Sequence, residues 1–184
     1  DHRYLHSFPT RRSSDLDPEL RQIIGVTLQM SLLSTGISAL LGIPLGVLIG
    51  ANDFKAKRLV NRLLHTLMGL PPVVAGLIVF LLLSRSGPLG SLKLLYSVAA
   101  MVIAQVVLIT PIITGRTANV VSIKAPLIQE TAAGIGLSPL RRMLYTIYEC
   151  RVPFVSNILA GFGRAMAEVG AVQMVGGNVQ FKTR

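Results

Sequence analysis

The sequence predicts an all-α protein, a polytopic bundle of transmembrane helices. Three observations predict it. Only 14% of the 184 residues are charged, against about 25% in an ordinary soluble domain. Four apolar runs approach or exceed the roughly 20 residues that a helix needs to cross a hydrocarbon core. The basic residues behind the net charge of +10 lie in short stretches between those runs. That distribution argues against a nucleic-acid surface and for a chain bounded by lipid.

The runs are Ile23 to Ile49, Leu59 to Leu83, Leu95 to Thr114 and Val152 to Val175. The fourth is the least pure, because it contains Arg164 and Glu168. Open strands are excluded at membrane depth, where lipid offers backbone groups no partner. Asp1 to Leu16 has no apolar period and no signal-peptide core. It reads as an adapter-like, non-native tail or as a disordered one, and residues 17–184 carry the fold. The single cysteine, Cys150, cannot form a disulfide within the chain.

Basic residues set the expected orientation. Lys55, Lys57, Arg58 and Arg62 follow the first run, and Arg116, Lys124, Arg141, Arg142 and Arg151 separate the third from the fourth. Both stretches are expected in the cytoplasm. The intervening loop, with Arg85 and Lys93, is then external, as is the start of the first span. The fourth span ends outside near Asn178, and only Val179 to Arg184 follow. A further returning span is therefore expected beyond the last residue.

Thr27, Ser31, Thr35, Ser38, Gly42 and Gly46 fall at helical spacing along one face of the first span. Small residues at that period let helices approach closely. Pro44 and Gly42 are expected to bend its inner end. Gly69-Leu70-Pro71-Pro72 places two adjacent prolines at the middle of the second run. Each lacks a backbone donor and clashes with the preceding turn. Pro71 and Pro72 therefore mark either a static kink or a gate. Gln105 is the one strongly polar residue of the third run, which also carries Pro111. Arg164 and Glu168, four apart, should share a helix face. They form a neutralising ion pair or line a translocation route.

The stretch from Arg116 to Arg151 is too long and too patterned to be a structureless loop. Pro126 is placed to start a helix through Ala133, which Gly134 and Gly136 end. Ser138-Pro139 then caps and starts a second helix from Leu140 to Glu149. Within it, Glu130-Thr131-Ala132 followed by Gly136 resembles the EAA loop of binding-protein-dependent ABC transporter permeases. Thr131 stands where that motif has Ala, and the later Ile-x-Leu-Pro element reads Thr146-Ile147-Tyr148-Glu149, without its proline. The segments Met68 to Gly90 and Ala160 to Asn178 are similar to the tungstate permease branch, related to molybdate permeases.

That resemblance implies a type I importer core, with four of its five core helices present. It implies that Glu130, Thr131, Ala132, Gly134 and Gly136 form a coupling turn gripped by a separate cytoplasmic ATPase. It also implies an external solute-binding protein and a homodimer of permease subunits in the inner membrane. The chain has no G-x-x-x-x-G-K-[ST] loop. It is expected to hydrolyse no ATP itself and to bind no cofactor or metal. His2, His6 and His65 are scattered along it. A channel or gradient-driven transporter is the rival from another class, since mid-membrane prolines and charges suit it equally well.

Overall fold

The computed structural model describes residues 18–168 and 170–177. The expected tail, the lead-in at Asp17 and the stretch from Asn178 onward lie outside these residues. Among the described residues there are seven helices and no strand. They are α1 (Pro18–Ala51), α2 (Lys57–Met68), α3 (Pro72–Leu83), α4 (Val98–Gly134), α5 (Pro139–Glu149), α6 (Arg151–Ala167) and α7 (Gly170–Gly176).

Helix α4 is the axis and touches every other helix. Its 37 residues correspond to about 55 Å of helix, well beyond the roughly 30 Å of a hydrocarbon core. One end must therefore project from the membrane. The expected stop near Thr114 and the separate helix starting at Pro126 are both corrected, because the helix runs unbroken through Pro111 and Pro126. A single interior proline costs about 3 kcal/mol, and local packing offsets it. Ala125, beside the proline, is buried in a cluster with Val47, Val121, Cys150 and Phe154.

Helix α1 lies along α4 through a ridge of small residues at every fourth position: Ser34, Ser38, Gly42, Gly46 and Gly50. A Cβ on Gly46 would come within 2.6 Å of Thr117 Cβ, and one on Gly50 within 2.6 Å of the Ala118 carbonyl oxygen. Glycine is therefore required by the backbone approach at both positions. The opposite face of α1 presents Leu32, Leu40, Leu41, Leu45 and Leu48, all exposed. An apolar face of this extent on an all-helical chain is a lipid surface.

The second run is not one kinked rod. Its halves, α2 and α3, meet at 98°. Pro71 and Pro72 start α3 instead of interrupting a helix: Pro71 is its N-cap and Pro72 its first residue. The Pro71 carbonyl accepts from the N–H groups of Val74 and Ala75. Helix α2 has no buried residue, so it lies on the bundle. Helices α1 and α4 are individually long and apolar enough to cross a membrane, and α2 with α3 make a third only if counted as one bent span.

The fourth run is also divided. Helix α6 ends at Ala167, Glu168 is extended (φ −87°, ψ 101°), and α7 follows. Helix α7 packs against α3 and α4. The loop after α3 contains one 3₁₀ turn, Gly90–Leu92. It is tied back by the Tyr96 N–H, which donates to the Val175 carbonyl at 3.1 Å.

Candidate functional site

Two places gather the polar and conformationally restricted residues. The first is the turn between α4 and α5, at the C-terminal end of the axis. The Leu137 N–H donates to the Ala132 carbonyl at 3.0 Å, and the Gly136 N–H to the Ala133 carbonyl at 2.9 Å. This nested pair is a Schellman cap. It needs a left-handed residue, and Gly136 supplies it at φ +76°. Ala132 is buried under the returning chain, whereas Glu130 and Thr131 are exposed. The spacing of the motif is thus the spacing of a helix C-cap. Ala132 gives the carbonyl and the small buried side chain, and Gly136 gives the reversal.

Thr131 points outward, and its hydroxyl donates to the Leu127 carbonyl. Its departure from Ala therefore disturbs no packing. Close approach does not require glycine at Gly134, since a Cβ there would meet nothing within 4 Å. Ser138 makes no side-chain cap bond, although Pro139 begins α5. Arg142 instead ties α5 to the turn, its Nε donating to the Leu137 carbonyl at 2.7 Å. Beside the turn opens a cleft of about 450 Å³, lined in part by Asp53, Lys57, Gln129, Glu130 and Arg142. Gln129 reaches the last residue of α1, its Nε2 donating to the Ala51 carbonyl at 3.5 Å.

The second place is the break between α6 and α7. Arg164 and Glu168 are brought together, but not on one helix face, because Glu168 lies past the helix end. Their closest atoms are 3.7 Å apart, with the Arg164 side chain 43% exposed and that of Glu168 6%. The other Glu168 oxygen accepts from the Ala171 N–H at 3.4 Å. Glu168 therefore joins the two helices across the break. Pro71 and Pro72 belong to the separate α2–α3 bend.

In the sequence Gln105 stands out only as a polar residue of its run. It is fully buried, and both ends of its amide are engaged. Its Oε1 accepts from Ser34 Oγ at 2.8 Å, and its Nε2 donates to the Ala165 carbonyl at 3.0 Å. Three helices meet on one side chain. Nearby on α1, Ser31 Oγ and Thr35 Oγ1 are buried without a hydrogen-bond partner among the described residues. Among those residues no group of His, Cys, Asp and Glu is arranged to hold a metal ion.

Residues 42–183 match the family described as binding-protein-dependent transport system inner membrane component. The chain belongs to that family. The permease is 38% identical over 168 residues to the tungstate uptake system permease protein TupB of Peptoclostridium acidaminophilum, a match covering 91% of this chain and 74% of that protein. It is 38% identical over 162 residues to a probable anion ABC transporter permease protein of Haloferax volcanii, covering 88% of the chain and 70% of the relative. It is 27% identical over 176 residues to the sulfate transport system permease protein CysW of Escherichia coli, covering 91% and 60%. The permease is thus a multi-pass membrane protein and the membrane subunit of its transport system.

Proposed function

We propose that this permease carries an oxyanion, tungstate or molybdate, inward by alternating access driven by a separate ATPase subunit. The observation that carries the coupling is the capped turn from Glu130 to Gly136, held rigid at the C-terminal end of α4. A push on that turn acts on the one helix that touches all the others. Nucleotide-driven closure of the ATPase would shift the equilibrium between inward- and outward-open states.

Exposed Leu127, Ile135, Leu140 and Leu144 surround the turn and offer the apolar surface that a partner subunit would cover. The coupling turn faces the cytoplasm, and an external binding protein delivers the anion. Two copies of the permease enclose the route. The chain binds no cofactor of its own, and ATP is consumed by the partner.

The substrate reading is supported by the tungstate and anion permeases it resembles. The buried, unpartnered hydroxyls of Ser31 and Thr35 add a chemical reason. A buried donor left unsatisfied costs about 1–3 kcal/mol, and an oxyanion or its water accepts from such groups. Arg164, still 43% exposed, supplies positive charge at the break.

The test is co-expression of the full-length permease with its ATPase, reconstitution in liposomes, and addition of binding protein loaded with tungstate. Tungstate-stimulated ATP hydrolysis and uptake are expected. Uptake driven by an ion gradient with no ATPase present would overturn the reading in favour of a secondary transporter. Stimulation by sulfate but not by tungstate would move the substrate.

A further inference from the structure

Helix α2 reaches the cleft beside the coupling turn at Lys57 and takes no part in the α6–α7 break, and it has three faces. Val60, Asn61, Leu64 and Met68 are partly buried, on the side where α2 meets α4. Leu59, Leu63 and Leu67, four residues apart, are 60%, 54% and 44% exposed. Arg58, Arg62 and His65 form a third exposed edge, extended by Lys55 just before the helix.

Helix α2 runs along α4, from Lys57, which shares a cleft with Gly50 and Ser122, to Met68 beside Gly115, and the chain then turns by 98° into α3. Its start lies at one end of the bundle, where Lys57 Nζ reaches the Gly50 carbonyl at 3.4 Å near the end of α1. An amphipathic helix that starts at that level keeps its cations among headgroups and its leucines against acyl chains. The exposed leucines suit the first and the cations the second. Asp53 bonds Lys57 at 2.8 Å. Among the described residues Lys55, Arg58 and Arg62 form no ion pair, and no acidic residue lies between Lys55 and Met68.

We propose that α2 is a binding surface for anionic phospholipid, with Lys55, Arg58 and Arg62 on the headgroup phosphates and Leu59, Leu63 and Leu67 against the acyl chains. Leucines and cations on separate edges of one helix match the layering of a leaflet, apolar below and anionic above. A soluble anion would have no use for the leucine edge.

The full chain is reconstituted in phosphatidylcholine bilayers with trace spin-labelled phosphatidylglycerol or spin-labelled phosphatidylcholine. The immobilised fraction of each is read by electron paramagnetic resonance. A preference for phosphatidylglycerol is expected, weakening as salt rises. K55Q/R58Q/R62Q should lower it, by up to about fivefold for each charge removed. K55R/R58K/R62K should keep it. The salt series uses the unaltered chain, so a variant that inserts badly does not decide the matter.

Four results would overturn the proposal. The first is equal retention of both lipids by the unaltered chain. The second is a preference unchanged in the triple Gln variant. The third is an equal loss in R85Q/K93Q, where both residues line the cleft of the α3–α4 loop. The last is displacement by inorganic phosphate at constant ionic strength, which would make the site one for a free anion. Loss of ATPase binding in the triple Gln variant, with lipid preference intact, would assign the edge to the partner subunit instead.

Discussion

Gln105 on α4 holds the end of α6, its Nε2 donating to the Ala165 carbonyl at 3.0 Å while Ser34 of α1 donates to its Oε1 at 2.8 Å. Ala165 is within three residues of Glu168, whose own N–H also reaches the Ala165 carbonyl, at 3.3 Å. One side chain thus ties the break between α6 and α7 to both long helices. A buried amide bonded at both ends is costly to remove, because its partners are left without water. Gln105→Leu should destabilise the permease by about 1–3 kcal/mol, read as a lower unfolding temperature in detergent. It should also reduce uptake more than it reduces ATPase docking, since the break lies away from the coupling turn. Uptake and unfolding temperature equal to the unaltered protein would remove Gln105 from the mechanism.

The turn after α4 separates two glycines that look equivalent in the sequence. Gly136 sits at φ +76°, whereas Gly134 is helical with open space around it. An Ala at Gly136 incurs about 1–2 kcal/mol of left-handed strain. An Ala at Gly134 improves helix propensity by up to about 1 kcal/mol. Gly136→Ala should therefore weaken substrate-stimulated ATP hydrolysis in the reconstituted complex, and Gly136→Leu more so. Gly134→Ala should leave it intact. Equal loss in both single Ala variants would mean that the surface of the turn matters and its backbone shape does not.

The ridge on α1 gives a prediction about assembly of the fold. A Leu at Gly46 must displace the Thr117 side chain or the Thr114 carbonyl, which a mere Cβ would approach to 2.6 and 2.7 Å. Overpacking of this kind costs about 1–3 kcal/mol or more. Gly46→Leu should cut the yield of monodisperse permease in size-exclusion chromatography. Gly36→Leu, at a position where a Cβ would meet nothing within 4 Å, should not.

Cys150 lies between α5 and α6 and is fully buried with Val47, Val121, Ala125 and Phe154. Burial pushes its thiol above the ordinary value. The Lys124 charge pulls against that shift and Glu149 adds to it. The folded state therefore favours the neutral thiol. The associated stability is present below the thiol pKa of the unfolded chain, about 8.5, and fades as pH rises through the higher folded value. Maleimide should label Cys150 slowly in the folded permease and fast in denaturing detergent. Unfolding temperature should fall more steeply above pH ~8.5 for the unaltered protein than for Cys150→Ala.

How much of this was legible in the residues depends on which force decided each feature. Helices and their apolar faces were, because burial in lipid leaves a long and unmistakable hydrophobic record. The capped turn was too, since Gly136 and Pro139 carry local backbone preferences. The angle between α2 and α3 was not: Pro71 and Pro72 mark where hydrogen bonds are lost, but the seating of α2 on α4 sets the direction. The continuity of α4 through Pro126 was hidden, because tertiary contacts at Val121 and Ala125 outweigh a local penalty. The role of Gln105 was hidden most deeply, as its second partner is a backbone carbonyl 60 residues away, and a carbonyl leaves no mark in the sequence.

The Arg164–Glu168 pair makes the last prediction. A simple neutralising pair would tolerate joint removal, because each charge exists only to cancel the other. Here Glu168 is 6% exposed and also accepts from the Ala171 N–H, while Arg164 is 43% exposed and 3.7 Å from its partner. The carboxylate therefore has a second task, holding the start of α7 against the end of α6. Glu168→Ala should reduce uptake and loosen α7, seen as faster amide exchange at Ala171. Glu168→Gln keeps an acceptor and should recover the exchange rate. Arg164→Ala should be the milder change for α7, since the Glu168 carboxylate still accepts from the Ala171 N–H. The double Ala variant should remain as impaired as Glu168→Ala. Return of the double variant to full uptake and normal exchange would reduce the pair to charge cancellation.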